Sequence, residues 1–231
     1  MANFINKYLN QSAYDADNTK QYPNTSLVGT DIVFAMAAPT PAFGGLTVKY
    51  NIEDPTQEVT LFNGGGASSG SSESESGGGG ALPTTMIVDG VSETPINTWR
   101  FETAGEHIVQ YEFADNIIPD GFLINNPIYT EVIVGDDITD IGKGVFYDVN
   151  NEGILTSATI GTGITSIDNQ TFGGNVNMTS ITIKATTPPT LGLYSFDNAN
   201  DCPIYVPASA VATYKAATGW SEYASRIFAI Q

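Results

Sequence analysis

Apolar and polar residues alternate along several short stretches in the first half of the chain, which is the pattern of β-strands with one buried and one exposed face. In HIVQYEF, residues 107–113, every second side chain from Val109 onward is apolar or aromatic. Four further stretches rich in β-branched or aromatic residues lie at 46–50, 58–62, 85–91 and 96–101. Turn residues such as Asp89 and Gly90 separate these stretches. The pattern therefore predicts a small β-sandwich over residues 31–118.

The second half of the chain, residues 119–231, repeats its apolar pattern. Two copies lie 26 residues apart and share a strand residue, two isoleucines and a closing phenylalanine. The first consists of Val134, Ile138, Ile141 and Phe146, and the second of Ile160, Ile164, Ile167 and Phe172. A looser third copy contains Ile181, Ile183 and Phe196, and an unfinished fourth begins with Ile204 and Val206. A period of about 20–29 residues with one short strand per unit predicts a leucine-rich-repeat-like solenoid, whose units must stack to bury their apolar rows.

Residues 207–220 carry a helical pattern that suits a lid on the last repeat. Pro207 favours a helix start, Ser209 is a candidate cap, and Gly219 favours the stop. Val211, Tyr214 and Ala217 share one face of the predicted helix. The aromatic and apolar residues expected to cover the last repeat are Trp220, Tyr223, Ile227 and Phe228.

Residues 1–30 predict an N-terminal arm. Phe4, Ile5, Tyr8 and Leu9 form a narrow apolar stripe on a short helix, and Pro23 lies among the breakers that follow. A helix shorter than about 12–15 residues is marginal in water, so this segment must dock. Two docking surfaces are compatible with the sequence: the next domain of the same chain, and another protein.

Residues 63–81 consist almost entirely of Gly, Ser and Glu and predict a flexible surface loop. The glycines have no Lys-Ser/Thr partner, so they do not make a phosphate-binding loop.

The chain is acidic, and its charge narrows the range of partners. It has 25 acidic and 8 basic residues, which gives a formal net charge of -17. Such a surface repels phosphate backbones, so nucleic acid is an unfavourable partner. Cys202 is the single cysteine, which excludes an internal disulfide framework and favours a small buried apolar side chain. No run approaches the roughly 18 apolar residues of a membrane span, and the N-terminus lacks the apolar region of a signal peptide, so synthesis in a cytoplasm is expected.

The residues that could carry chemistry are few. His107 is the only histidine, it has the strand parity of Val109 and Tyr111, and no GxSxG nucleophile motif accompanies it. The carboxylates of GDDITD, Asp136, Asp137 and Asp140, could bind calcium, but the next repeat has Thr162, Gly163 and Ser166 at the same places, which favours a solvated corner. Asp15 and Asp17 begin like a calcium loop, yet Lys20 stands where the glycine is needed.

The repeat resembles a known family. LTSATIGTGITSIDNQTF, residues 155–172, is similar to the BspA-type leucine-rich repeats of gut bacteria and their phages, and CPIYVPASAVATYKAATGWSEYASRI resembles the C-terminal ending of such proteins. Asp168 and Thr171 depart from the usual Gly and Ala, and residues 187–189 replace the usual corner with Thr-Pro-Pro. The resemblance covers residues 130–231 and implies the capped solenoid.

Two further resemblances concern the first half. MIVDGVSETPINTWRFETAGEHIVQYEF is similar to the small Ig-like domain that often precedes such repeats. MANFINKYLNQSAYDADN resembles the N-terminal arms of virion proteins in crAss-like phages of Bacteroidota hosts. This second likeness implies that the arm docks on another virion protein. The anchor residues that it implies are Phe4, Ile5, Tyr8, Leu9 and Tyr14.

The expected protein is mainly β: an arm at 1–30, an Ig-like β-sandwich at 31–118 with the loop 63–81, and a capped repeat solenoid at 119–231. The resemblance implies a non-enzymatic virion protein, a head fibre or capsid-decoration component that displays its repeats for host or glycan binding and forms a homo-oligomer. A tail appendage and a bacterial surface adhesin are the alternatives. No catalytic, cofactor or metal residues are expected, and neither nucleic acid nor membrane is an expected partner.

Overall fold

The computed structural model describes residues 25–28, 31–34, 43–63, 82–126, 128–199 and 201–231. The fold is mainly β, with a large sheet and a short C-terminal helix. The chain divides into two units, Met1–Ala42 and Phe43–Gln231. In the first, strands β1 (Thr25–Val28) and β2 (Asp31–Phe34) pair as an antiparallel hairpin. The predicted helical stripe at residues 4–9 and most of the predicted loop at 63–81 lie outside the described residues.

Nine strands of the described residues in the second unit form one continuous sheet, here called the large sheet. Pairing is antiparallel on the side that comes first in the chain and parallel on the other, and the two halves meet where β3 (Leu46–Ile52) pairs with β10 (Tyr129–Val134). The strands, in spatial order, are β6 (Val91–Glu93), β5 (Thr85–Val88), β8 (Gly105–Glu112), β3 (Leu46–Ile52), β10 (Tyr129–Val134), β12 (Ser157–Ile160), β14 (Ser180–Ile183), β16 (Ile204–Val206) and β17 (Ile227–Ala229).

The alternating stretches of the first half become strands, but most of them join the large sheet. The predicted strand at 85–91 is a hairpin, in which Asp89 and Gly90 turn with positive φ between β5 and β6. The stretches at 58–62 and 96–101 contribute β4 (Val59–Thr60) and β7 (Thr98–Trp99), which pair with each other. The predicted boundary at 118/119 lies inside the second unit, and the large sheet runs across it because β3 pairs with both β8 and β10.

The repeating segments are aligned in the structure as they are in the sequence. Val134 is the register partner of Ile160 across β10 and β12. A second, smaller parallel sheet consists of β9 (Ile117–Ile118), β11 (Asp140–Ile141), β13 (Ser166–Ile167) and β15 (Thr190–Leu191), in which Ile141 is the partner of Ile167. Each of the first three repeats therefore gives one strand to each sheet.

The core between these two sheets is apolar and continuous from one repeat to the next. Ile138, Ile141, Ile164 and Ile167 are all buried, as the pattern predicted. Aromatic rings follow one another along the repeat axis: Phe172 stacks on Phe146 and on Phe196, and Trp220 lies tilted against Phe196. Their centroids are 5.0 Å apart for Phe146 and Phe172, 5.8 Å for Phe172 and Phe196, and 5.7 Å for Phe196 and Trp220. Each ring thus covers the apolar face that the previous repeat leaves open.

Polar side chains join the repeats where the apolar core cannot. The Thr156 hydroxyl donates to the backbone oxygen of Thr130 over 3.0 Å, and the Thr179 hydroxyl donates to that of Thr156 over 2.8 Å. The buried Asn175 amide donates to the backbone oxygens of Phe146, at 2.7 Å, and Phe172, at 2.9 Å. Because buried carbonyls need partners, the Asn175 bonds in particular fix the spacing of neighbouring repeats.

The C-terminal lid is shorter and differently capped than the sequence predicted. Helix α1 spans Val211–Ala216 between two 3₁₀ segments, Ala208–Ala210 and Trp220–Arg226. None of these three segments has a side-chain capping bond at its N-terminus, so Ser209 is not the cap. Trp220 is buried, as expected, and its Nε1 donates to the Pro189 oxygen over 2.8 Å.

The last residues form a strand that the sequence analysis did not predict. Strand β17 pairs in parallel with β16 and forms the edge of the large sheet. Ile227 is buried, but Phe228 is 48% exposed, so the prediction that Phe228 covers the core is wrong. The strand's period of two puts the two neighbours on opposite faces, which a helical lid would not have done.

Candidate functional site

His107 lies in a fully bonded position on β8. The ring is 7% exposed, as its parity with the buried Val109 and Tyr111 predicted. Its Nδ1 lies 2.7 Å from Asp89 Oδ2, and its Nε2 lies 2.8 Å from the backbone oxygen of Thr103. Phe101 stacks on the ring with centroids 4.3 Å apart. Both nitrogens are engaged, so the imidazole can accept a substrate proton only by breaking one of these contacts.

Two of the three aspartates of GDDITD accept local hydrogen bonds, and the third packs closely against the backbone. Asp136 Oδ1 accepts from the Thr162 N–H over 2.7 Å, and this bond lowers the pKa of the Asp136 carboxyl below its ordinary value. Asp140 accepts from the Thr139 hydroxyl over 2.6 Å. A side chain at Gly44 would collide with the Asp137 carboxylate, which shows how closely this corner packs. Within the described ranges, no group of three His, Cys, Asp or Glu side chains is placed to hold a metal ion.

The outward side of the large sheet contains a surface without charge, here called the neutral face. It lies on four parallel strands, β12, β14, β16 and β17, whose intervening residues point into the core. Its members are Ser157, Thr159, Ser180, Thr182, Tyr205 and Phe228. Thr159 is the register partner of Thr182, Thr182 of Tyr205, and Tyr205 of Phe228, so four of the six form one cross-strand row.

The two aromatic side chains stand together at one end of the neutral face. The ring centroids of Tyr205 and Phe228 are 6.4 Å apart, with an interplanar angle of 46°. Since neighbouring strands lie about 4.8 Å apart, the row from Thr159 to Phe228 extends about 14 Å. The neutral face therefore offers hydroxyls at one end and aromatic surface at the other.

The hydroxyls of the neutral face differ from the other hydroxyls of the repeats. Thr156, Thr165 and Thr179 each donate to the backbone of the preceding repeat. By contrast, no hydrogen bond to any described residue engages the side chains of Thr159 and Thr182. The second group is therefore available to a ligand, whereas the first is part of the scaffold.

Charge is unevenly distributed over the outward side of the large sheet. The half formed by β8, β3 and β10 carries Glu106, Lys49 and Glu131, and the Lys49 ammonium lies 2.8 Å from the Glu131 carboxylate. The Glu131 side chain bonded to Lys49 raises the pKa of that ammonium. The six side chains of the neutral face, on the other half, carry no charge although the chain has 25 acidic residues. Two charged residues border it: Glu131 of β10, the register partner of Ser157, and the exposed Lys184, which directly follows β14.

Two smaller surface features lie at the corners of the repeats. Leu193 and Tyr194 are 67% and 61% exposed, and Tyr194 has a φ of 61°. A shallow groove of about 540 Å³ is lined by Asn151, Val176, Asn198 and Asp201. Its Asp201 carboxylate lies 3.5 Å from the Arg226 guanidinium, so the one acidic group of its lining already has a cationic partner.

Sequence analysis missed the neutral face, although its signal was present. The segments SATI, SITI and IYV alternate hydroxyl or aromatic residues with buried apolar ones. What the sequence alone could not show is that these strands stand side by side in register. The predicted anchor residues, Phe4, Ile5, Tyr8, Leu9 and Tyr14, lie outside the described residues, so the structure does not place them.

No protein-family model matches the chain, and no curated protein matches its sequence. None of the helices in the described ranges is long and apolar enough to cross a membrane.

Proposed function

We propose that this chain is a structural virion protein, a head fibre or capsid-decoration component, that attaches through its N-terminal arm and displays a rigid β body. The observation that carries the proposal is the division of the chain at Ala42, which leaves residues 43–231 as a separate compact unit. An attachment segment that is distinct from the displayed body is what such a component needs. The resemblance of residues 1–18 to the N-terminal arms of virion proteins suggests that the attachment is to a phage particle.

The body has the construction of a display scaffold. Its candidate catalytic groups, His107 and Asp136, are engaged in bonds within the scaffold. Aromatic stacking and threonine ladders hold the repeats at fixed spacing. We infer a non-enzymatic body, in which a leucine-rich-repeat-like solenoid is fused through β3 and β10 to an Ig-like part.

The arm is proposed to dock with five apolar or aromatic side chains on another virion protein. These anchor residues are Phe4, Ile5, Tyr8, Leu9 and Tyr14. A short helix with so narrow an apolar stripe gains stability chiefly by burying that stripe on a partner.

Deleting residues 1–20 tests the attachment. The truncated chain should remain folded, as judged by circular dichroism, but should be missing from purified particles when these are analysed by mass spectrometry. Replacing the five anchor residues with serine should have the same effect. The control variant Asn10→Ser/Gln11→Ser changes polar residues of the same segment and should load as the wild type does. Normal loading of the truncated chain would contradict the anchor role.

Localisation separates this proposal from its alternatives. Antibody labelling of intact particles should mark the head. Labelling at the tail would assign the chain to a tail appendage. Its presence on the surface of uninfected bacteria, with none in particles, would assign it to a bacterial adhesin.

A further inference from the structure

We propose that the neutral face binds an uncharged carbohydrate chain. The inference deepens the proposed display function and rests on it for its biological setting. Four properties of the six side chains defined above support this: their lack of charge, their unengaged hydroxyls, their aromatic end and their extent.

The lack of charge selects against anionic and cationic ligands. A chain with a net charge of -17 repels anionic polymers at long range, and a cationic ligand would favour the acidic surface elsewhere. The six side chains of the neutral face carry no charge, and the two charged residues that border it, Glu131 and Lys184, have opposite signs. An uncharged ligand is the class whose approach to it costs no long-range electrostatic work.

The unengaged hydroxyls select a ligand rich in hydroxyls. Each Ser or Thr hydroxyl can donate one hydrogen bond and accept others. Thr159 and Thr182 are adjacent register partners, so their hydroxyls present donors and acceptors at about the strand spacing of 4.8 Å. A sugar presents the same paired donors and acceptors around its ring.

The aromatic end supplies the apolar contact that a sugar ring also needs. Tyr205 combines an apolar ring with a polar tip, and the neighbouring Phe228 is 48% exposed at the sheet edge. The C–H face of a pyranose can stack on such a ring while its hydroxyl groups reach Thr182. The row presents hydroxyls first and aromatic rings next, so it can contact both the hydroxyl groups and the C–H face of one sugar ligand.

The extent of the neutral face argues against a protein partner. Four strands about 4.8 Å apart, each presenting about 10 Å of length, cover roughly 200 Å². A stable protein interface buries about 800 Å² on each partner and has an apolar centre. The neutral face is too small and too polar for that, whereas it spans a few sugar units.

Affinity electrophoresis of the purified full chain provides the test. The gels contain a neutral polysaccharide, namely mannan, dextran, galactomannan, xyloglucan or a β-1,3-glucan, or else an anionic one, hyaluronan or polygalacturonate. The proposal expects retardation by at least one neutral polymer and by neither anionic polymer. Retardation by no neutral polymer, or by anionic polymers alone, overturns it. Particle attachment is measured separately, so failure here leaves the proposed function standing.

Variants then locate the binding. Thr159→Val/Thr182→Val removes two hydroxyls while keeping shape and strand preference. It should raise the dissociation constant for the retarding polymer about tenfold or more. Tyr205→Ala should raise the dissociation constant by a similar factor, and Tyr205→Phe should raise it much less. Two controls are matched to these: Thr186→Val/Thr187→Val, exposed threonines in the turn after β14, and Tyr194→Ala, an exposed tyrosine at a corner.

All variants should keep the wild-type unfolding temperature, since none of the changed side chains is buried. Equal loss of binding in the controls, or full binding by the face variants, overturns the assignment. If sedimentation shows that the wild-type protein is a dimer and that Tyr205→Ala is a monomer, the neutral face binds a second copy of the chain. That result would also overturn the carbohydrate assignment.

Discussion

At the scale of residues, one corner of each repeat requires a left-handed backbone. Four equivalent residues have φ near 60° and lie 23, 26 and 24 residues apart: Gly121, Gly144, Gln170 and Tyr194. The first two are glycines, for which this conformation is free of strain. A tyrosine at such a φ is unusual, because its Cβ crowds the following carbonyl.

Replacing Tyr194 with glycine should therefore stabilise the protein. The side chain is 61% exposed, so little apolar burial is lost, and relief of the strained φ should raise the free energy of unfolding by about 1 kcal/mol. Urea denaturation measures the change. Tyr194→Ala removes the same ring but keeps the strain, so it is the matched control. A glycine variant no more stable than the alanine variant would contradict the strain argument.

At the scale of elements, the aromatic stack is the main apolar link between repeats. Phe172 lies between Phe146 and Phe196 and is fully buried. Phe228, an aromatic residue of the same type, lies half exposed on the edge strand β17. The two positions thus compare the same side chain inside and outside the core.

Phe172→Ala should lower the free energy of unfolding by about 3–5 kcal/mol, because it leaves a cavity in the middle of the stack. Phe228→Ala should lower it by less than about 1 kcal/mol. Both changes are measured by urea denaturation, with one common dependence of the unfolding free energy on urea concentration for all variants. Similar losses at the two positions would show that the stack is not the link between repeats.

The sequence predicted the repeated elements better than their ends. Period-two and 26-residue patterns located most strands because burial repeats with them. One repeat was missed, although Ile118, Gly121 and Leu123 each precede their counterparts Ile141, Gly144 and Phe146 by 23 residues. In the large sheet the place before β10 is taken by β3, which lies far away in the chain and runs antiparallel. No local pattern encodes that exchange.

The candidate site was predictable only in part. The parity of His107 indicated burial, but its contact with Asp89 depends on the antiparallel pairing of β5 with β8, which the sequence does not specify. Strand β17 was not predicted, because the helical pattern of 207–220 suggested a longer lid. Its pairing with β16 is a tertiary contact that no local pattern shows. Cross-strand surfaces such as the neutral face appear only once register is known.

At the scale of the whole molecule, residues 43–231 form one unit. The large sheet joins the antiparallel half at β8 to the repeats through the β3–β10 pair, without a linker between them. The neutral face lies at one end of this sheet. A force on the neutral face would be transmitted through paired strands to the β6 end of the sheet, as the proposed display role requires.

Native-state hydrogen exchange over a series of urea concentrations tests this unity most directly. Peptides covering β8 (Gly105–Glu112) and β14 (Ser180–Ile183) report on the two halves of the large sheet. Both peptides should become exchangeable through the same global opening, with equal free energies that converge on the free energy of complete unfolding. A separate opening of β3, β5 and β8, at lower free energy and with the repeats still protected, would contradict it.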